Sequence, residues 1–230
     1  MAEASGGGRR RRRREKPLRF CLSRTLSWVL RHGAADVGLE MGPDGFVEVG
    51  ALLRLPQLAG VSEGDLMRAV VEDPKGRFAL SPPPPAPPRR IRANQGHSLE
   101  VPLLELTPLR TPGSLPPTLT HGTRRRCLGA ILKEGLRPMG RNHIHLVGGE
   151  GLPVGAGIRT NSEVLIVIDG TRALEAGIPF FCSANGVFLS PGDGEGRIPP
   201  KFFLRVLELH PERRSGGERD TGGDSPHAQG

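Results

Sequence analysis

The stretch IRANQGHS, at residues 91–98, marks the place where the pattern of the chain changes. Its first residues continue a strand-like run that begins at Arg90, and the rest are polar or glycine, so they add little to a hydrophobic core. Arg92 offers a fork of N–H donors that matches the oxygens of a phosphate. Two interpretations of the stretch stay open at this point: a polar turn after a strand, or a contact to a phosphate or to RNA.

Upstream of this stretch, the sequence predicts three helices. The first carries apolar residues at helical spacing, which are Leu22, Leu26, Val29 and Leu30. We expect this helix to end near Gly33, with the glycine in the left-handed capping conformation. A short helix is expected over residues 50–55. A third begins at Ser62, whose side chain caps the helix N-terminus.

A hairpin follows the three helices. Residues 77–80 and 90–93 have the pattern of two paired strands, and the loop at 81–88 is rich in proline, which cannot join a strand ladder. Helices followed by a hairpin are typical of a winged helix, a module that frequently binds nucleic acid. We therefore predict a winged-helix-like lobe over residues 18–98.

The second half of the chain alternates short strands with glycine-rich turns. Residues 99–117, rich in proline and leucine, are predicted to connect two lobes. Strand-like runs then occur at 118–121, 143–147, 164–168, 187–189 and 202–207, and short helices are expected near 125–134 and 171–176. Short strands with few helices predict an α+β lobe over residues 118–209.

The charge of the chain favours a polyanionic partner. The formal net charge is +8. Residues 1–16 hold seven basic and two acidic residues, a local +5, so the rest of the chain carries +3. A basic chain favours nucleic acid. Residues 1–17 and 210–230 bury nothing by composition and are predicted to be disordered tails. The arginine run at 9–14 is a solvated tail, a nuclear import signal or a non-specific RNA arm.

The cysteines and the apolar runs indicate the compartment. Cys21, Cys127 and Cys182 are widely spaced, form no CxxC pair and are odd in number, which argues against a disulfide framework or a zinc ribbon. No apolar run approaches the roughly 18 residues of a membrane span, and no secretory signal is evident. We expect a monomer of the cytoplasm, the nucleus or both, with no membrane partner.

Short histidine-containing motifs are the candidates for chemistry. The motif at 30–33, Leu-Arg-His-Gly, ends the first helix, where a histidine often serves only as a cap. The motif HGT at 121–123 closes a strand. His143 and His145 lie two apart in a strand, on one face, but no third ligand is evident, so no metal is expected. The glycines at 148–151 belong to neither a nucleoside-triphosphate loop nor a Rossmann fingerprint, so a dinucleotide would need another architecture.

Taken together, these motifs resemble the tRNA 2′-phosphotransferase family. The matching segments follow the family's order across residues 20–208. They are LSRTLSWVLRHG (22–33), DGFVEV (44–49), RF (77–78) followed by IRANQGHS (91–98), HGT (121–123), RNHIHL (141–146), GIR (157–159) before VLIVID (164–169), and SANGVFL (183–189). Of these, IRANQGHS is the most specific.

The resemblance implies a two-lobe α+β enzyme, with a winged-helix-like lobe followed by an ADP-ribosyltransferase-fold lobe of short strands. It implies transfer of the splice-junction 2′-phosphate of ligated tRNA to NAD, which releases nicotinamide and ADP-ribose 1″,2″-cyclic phosphate without a metal. The implied catalytic residues are Arg31, His32, Arg92 and Arg159. The implied NAD pocket is lined by His121, Gly122, Thr123, His143, His145, Leu146, Ser183 and Asn185.

Two other functions would use some of the same features. An ADP-ribosyltransferase that modifies nucleic-acid phosphates or protein would use the same NAD pocket, but it would leave a stable ADP-ribosylated acceptor. A non-catalytic winged-helix protein would bind RNA alone, and the HGT, HIHL and GIR motifs would then have no purpose.

Overall fold

The computed structural model describes residues 18–81, 89–149, 158 and 161–209. Several features expected from the sequence lie outside these residues. They are the two tails at 1–17 and 210–230, the proline-rich loop apart from its first residue, and the candidate catalytic residue Arg159.

The first helix continues further than expected and is capped by a different glycine. Helix α1, Leu18–Trp28, is followed by a π-helical turn over Val29–Gly33. The predicted left-handed cap at Gly33 is wrong, since the chain stays right-handed through Ala34 and ends in the left-handed Gly38, φ 67°. Gly33 is needed for packing instead, because a Cβ there would lie 2.5 Å from Cη2 of Trp28.

The two shorter helices of this part confirm the prediction. Helix α2 spans Val49–Leu53 and helix α3 spans Glu63–Val71. Ser62 caps α3 through its Oγ, which accepts a hydrogen bond from the backbone N–H of Asp65 at 3.1 Å, and the Asp65 carboxylate accepts one from the Ser62 N–H at 3.2 Å. This reciprocal pair satisfies N–H groups that the helix leaves unpaired.

The predicted hairpin forms, and a third strand joins it. Strands β1 (Val47–Glu48), β2 (Phe78–Leu80) and β3 (Arg90–Ala93) form an antiparallel sheet in the order β1-β3-β2. Apolar side chains between Leu22 and Ala93 build one hydrophobic core beneath this sheet and its helices.

The second part is built on a seven-stranded antiparallel sheet in the order β10-β7-β5-β6-β9-β8-β4. Its strands are β4 (Leu106–Leu109), β5 (Leu119–Thr123), β6 (Ile144–Gly148), β7 (Val164–Ile168), β8 (Phe180–Ser183), β9 (Phe188–Ser190) and β10 (Phe203–Glu208). Helices α4 (Arg125–Glu134) and α5 (Gly170–Glu175) pack on it. The five predicted strands and two predicted helices are confirmed to within two residues, and the α+β class with them.

Two strands of this sheet were not expected. Strand β4 lies in the segment predicted to connect the lobes, and β8 lies just before the SANGVFL motif, in a segment for which no strand was predicted. Pro108 made β4 look like a connection, yet the strand is at the edge of the sheet, where a proline is tolerated because only one side carries a ladder. A second hydrophobic core, drawn from residues 109–202, fills the space under this sheet.

Hydrogen bonds made by Asn142, Asn185 and His145 join the two parts. The backbone N–H of Asn142 donates to the carbonyl oxygen of His97 at 3.0 Å, and its side-chain amide donates to the carbonyl of Leu99 at 2.8 Å. The side-chain amide of Asn185 donates to the carbonyl of Lys75 at 2.9 Å. Within the described ranges, no helix has both the length and the apolar composition to cross a membrane.

Candidate active site

A cleft of about 1030 Å³ opens where the two parts meet. Its walls come from the end of α1, the 74–77 turn, Gln95, and strands β5, β6 and β9 with their flanking turns. Seven basic side chains line it, which are Arg31, Lys75, Arg77, Arg124, Arg126, Arg137 and Arg141. No aspartate or glutamate lines it among the residues that the structure describes. Such a wall attracts anions and repels cations.

Arg31 lies at the centre of this charge. Its Nε and Nη2 atoms are buried and have no hydrogen-bond partner among the described residues. Gly96, φ 91°, lets the chain pass close to the guanidinium, because a Cβ there would lie 3.3 Å from Cζ of Arg31. Burial, together with the nearby charges of Arg141 and Arg77, lowers the pKa of Arg31 to about 10, so the group stays charged near neutral pH. Two buried donors on a charged group are a ready site for an anion.

His32 lies beside Arg31 on the same wall. Its Nδ1 is 2.8 Å from the hydroxyl oxygen of Ser98, the last residue of IRANQGHS. The Ser98 N–H donates in turn to the carbonyl oxygen of Arg31 at 2.9 Å, so the 91–98 stretch holds the helix end in place. Burial and the charges of Arg141 and Arg31 lower the pKa of His32. The ring is therefore neutral near pH 7 and can take or give a proton.

Three histidines lie on the opposite wall. Nδ1 of His121 is 2.9 Å from the carbonyl oxygen of His145, which links strand β5 to β6. Nε2 of His145 is 2.8 Å from Oε1 of Gln95, and burial, with Arg141 nearby, lowers the pKa of His145 to about 3. Burial also lowers the pKa of His143, whose ring meets that of Phe181 edge to face. His143 and His145 are thus uncharged near neutral pH.

The other residues expected in the NAD pocket divide into two groups. Gly122, Thr123, Leu146 and Asn185 line the cleft with the three histidines. Ser183 does not, because it is buried and its hydroxyl donates to Oδ1 of Asn185 at 2.9 Å. Gly122 is also required for packing, since a Cβ there would lie 2.7 Å from Ile158 and Ser162.

Among the catalytic candidates that the structure describes, Arg92 is not brought to the cleft wall. Its side chain is 8% exposed, pairs with Glu105 through Nη2 at 2.5 Å and covers the ring of Phe46 at 4.7 Å. His97, which the sequence singled out only as part of its motif, fills the space near Arg31 and Arg92 and is 2% exposed. Both of its ring nitrogens lack a partner in the described part of the chain. Burial and the charge of Arg31 lower its pKa to about 4.

Sequence reasoning missed most of the basic wall. Lys75 and Arg77 follow a proline in a turn, and Arg137 and Arg141 flank another turn before β6. Isolated basic residues next to turns look like ordinary solvated surface, so of these four only Arg77, in the RF pair, and Arg141, in the RNHIHL motif, carried a signal in the sequence. No group of three or more His, Cys, Asp or Glu residues that could hold a metal occurs within the described ranges.

The fold and the site define a class: an α+β protein with a strongly basic cleft between a helical part and an antiparallel sheet. Among the residues that the structure describes, a buried arginine has donors without partners, a neutral histidine lies next to it, and the basic wall contains no carboxylate. This combination suits a phosphorylated polyanion.

Comparison with known proteins identifies the family. The family model described as "RNA 2′-phosphotransferase, Tpt1 / KptA family" matches residues 18–192. The chain therefore belongs to this family and is an RNA 2′-phosphotransferase. This confirms the resemblance found in the sequence and leaves the non-catalytic alternative without support.

Similar proteins agree with this assignment. The chain is 52% identical to "tRNA 2′-phosphotransferase 1" of Mus musculus over 207 residues, which cover 87% of the chain and 82% of that protein. It is 51% identical to the Homo sapiens protein of the same name, over 84% of the chain and 77% of that protein. It is 37% identical to a "Probable RNA 2′-phosphotransferase" of Agrobacterium fabrum, over 73% of the chain and 87% of that protein.

Proposed function

We propose that the chain is a NAD-dependent tRNA 2′-phosphotransferase. It would move the splice-junction 2′-phosphate of ligated tRNA to NAD and release nicotinamide and ADP-ribose 1″,2″-cyclic phosphate. The names of the mouse and human relatives support tRNA as the substrate. The resemblance of the motifs supports NAD as the acceptor of the phosphate.

The observation that carries this proposal is the state of Arg31. A buried guanidinium with two unpaired nitrogens is costly unless a ligand supplies acceptors. A phosphate monoester carries a charge of about −1.5 to −2 and three acceptor oxygens near neutral pH. A 2′-phosphate in the cleft would satisfy Arg31, and Arg141, whose charge is close enough to lower the pKa of Arg31, would add positive charge.

His32 is proposed to handle the proton of the RNA 2′-oxygen. Because its Nδ1 is bonded to Ser98, the ring orientation is set and Nε2 is left for the substrate. A neutral imidazole can accept the proton of the ribose hydroxyl that attacks the phosphorus and can then donate it to the RNA 2′-oxygen that leaves. No carboxylate from the described ranges lines the cleft, so arginines would balance the charge that develops on the phosphate oxygens.

The opposite wall fits NAD. The cavity volume lies at the upper end of the roughly 300–1000 Å³ of small-molecule sites, and the exposed Arg124 and Arg126 extend the basic wall toward a diphosphate. When bound, NAD supplies a ribose carbon whose bond to nicotinamide breaks readily. The residues proposed to hold it are His121, Gly122, Thr123, His143, His145, Leu146 and Asn185, with Ser183 orienting Asn185 from behind.

Arg92 and Arg159 are proposed as the remaining members of the catalytic set on the basis of the resemblance. For Arg92 this requires the guanidinium to leave Glu105, which is 77% exposed and therefore free to move into solvent. We also propose that the helical part is a winged-helix-like RNA-binding lobe, because it combines three helices with a three-stranded antiparallel sheet in the chain order α1-β1-α2-α3-β2-β3. The seven-stranded part would be the ADP-ribosyltransferase-like lobe.

One experiment tests the proposal directly. The protein is incubated with a short RNA that carries one internal 2′-phosphate, with and without NAD, and both RNA dephosphorylation and nicotinamide release are measured. We expect both to depend strictly on NAD, to occur in equal amounts and to survive EDTA. Phosphate release without NAD would contradict the proposal. A stable ADP-ribosylated RNA with no phosphate loss would favour the ADP-ribosyltransferase alternative.

A further inference from the structure

Met139 combines two features that are unusual for an apolar residue. Its side chain is 83% exposed although it lines the basic cleft. Its backbone has φ 55°, and it is the one non-glycine residue with a positive φ in the part of the chain that the structure describes. A left-handed backbone is unfavourable for a residue with a side chain, and such outliers concentrate at ligand sites.

The turn that carries Met139 is held firmly in place. The Arg141 N–H donates to the carbonyl oxygen of Met139 at 2.7 Å, which closes a tight turn around Gly140. The next residue, Asn142, makes two hydrogen bonds to the 97–99 segment of the helical part. The exposed methionine therefore lies on a turn whose backbone is held by hydrogen bonds on its C-terminal side.

The same anchoring places Met139 near the phosphate-transfer residues. Ser98, within the anchoring segment, bonds to His32, and the charge of Arg141 is close enough to lower the pKa values of Arg31 and His32. Arg137 lines the cleft on the other side of Met139. An apolar side chain between two arginines can pack on a nucleobase, while the arginines bind the backbone phosphates on either side of that base.

From this geometry we infer that Met139 is a platform for a nucleobase of the RNA next to the 2′-phosphate. A polarizable thioether packs well on an aromatic ring, and every base has such a face, so contact would raise affinity without strong sequence preference. Arg137 and Arg141 would contact the adjoining phosphates. The inference rests on the proposed function for the identity of the RNA and deepens it by naming how the neighbouring nucleotide is bound.

The test measures RNA binding as well as turnover. Binding of a labelled, internally 2′-phosphorylated RNA without NAD gives Kd, and steady-state kinetics give the KM values for RNA and NAD. Met139→Ala should raise Kd and the KM for RNA by about five- to thirtyfold, within the range of base stacking, and leave the KM for NAD unchanged. Met139→Leu is the matched control, because it keeps an apolar side chain on the same backbone, and it should stay close to wild type.

A modified RNA identifies the contact as one to a base. With abasic sites on both sides of the phosphorylated nucleotide, the Kd of wild type and of Met139→Ala should become equal. An unchanged Kd in Met139→Ala, an equal loss on abasic RNA, or a rise in the KM for NAD alone would each overturn the inference. Failure of the proposed function would give a different result. The wild-type protein would then release no phosphate in the presence of NAD, while Met139→Ala would still raise the Kd for RNA.

Discussion

Nε2 of His145 lies 2.8 Å from the side-chain oxygen of Gln95, and this contact joins the segment after β3 to strand β6 across the cleft. Because a carbonyl oxygen only accepts, the ring nitrogen carries the proton in this arrangement. The low pKa of His145, caused first by burial, keeps the ring neutral near pH 7. The bond therefore joins the wall that carries Arg31 to the histidine wall without adding a charge.

The first prediction concerns this bond. Gln95→Leu should lower the free energy of unfolding by about 1 kcal/mol, because the His145 donor loses its acceptor in a site that is mostly closed to water. Urea unfolding of Gln95→Leu, His145→Phe and the double variant forms a cycle, and we expect a coupling of at least about 0.5 kcal/mol. Strictly additive effects would show that the two side chains do not interact in solution.

The second prediction concerns acid stability. The pKa values of His97 and His145, about 4 and about 3, lie below the ordinary value of 6.5, so between these limits the unfolded chain binds more protons than the folded one. The free energy of unfolding should therefore fall as pH drops from 6.5 toward 4, by up to about 1.4 kcal/mol per pH unit for each group.

A variant assigns this pH dependence to His97. His97→Leu removes one of the two titrating groups and costs no hydrogen bond, since neither ring nitrogen of His97 has a described partner. We expect a shallower slope of unfolding free energy between pH 6.5 and pH 4, measured by urea unfolding at several pH values. A slope equal to that of wild type would mean that His97 is protonated at its ordinary pKa.

The third prediction separates activity from stability at Arg31. Arg31→Met should reduce turnover on 2′-phosphorylated RNA by about 10²–10³, the usual effect of removing one donor that stabilises a reacting anion. Its free energy of unfolding should stay equal or rise, because the variant no longer buries two unpaired guanidinium nitrogens. A loss of stability alongside the loss of activity would show that Arg31 is a structural cation.

The fourth prediction tests whether Arg92 must leave Glu105 to act. Arg92→Ala should lower turnover strongly, whereas Glu105→Ala should leave it equal or raise it, because the carboxylate competes with the RNA phosphate for the same guanidinium. Glu105→Gln, which keeps the shape and loses the charge, serves as the control. If Glu105→Ala is as inactive as Arg92→Ala, the ion pair holds Arg92 in its working position.

The fifth prediction concerns the N-terminal tail. Removing residues 1–17 lowers the formal net charge from +8 to +3. We expect unchanged kcat on a short RNA, weaker RNA binding at low salt, and a smaller slope of log Kd against log salt concentration, because fewer counterions are released. A chain with glutamine at positions 9–14 should behave like the deletion. Loss of folding in the deletion would place the start of the lobe before residue 18.

Local patterns in the sequence were sufficient for most of the fold. Apolar spacing identified α1, the Ser62–Asp65 pair identified the start of α3, and an unbroken apolar run identified β7. Each of these signals involves residues within one turn of a helix or one strand, so neighbours in the chain determine them. The histidine motifs also identified much of the cleft. They lie at or next to the ends of α1, β5 and β6, and these ends line the cleft.

The tertiary structure alone decided the features that depend on residues far apart. Gly33 has a right-handed backbone because the helical chain continues past it, and Trp28 packs against it. Strand β4 forms because its proline-containing segment pairs with the edge of β8. The direction of Arg92 toward Phe46 depends on which face of β3 the 44–49 segment covers. The sequence by itself determined most of the helices and strands, the charge and the family. Only tertiary packing brought the basic residues of separate turns together in one cleft. It also brought Gln95 into contact with His145, because no local sequence pattern specifies a contact between residues so far apart in the chain.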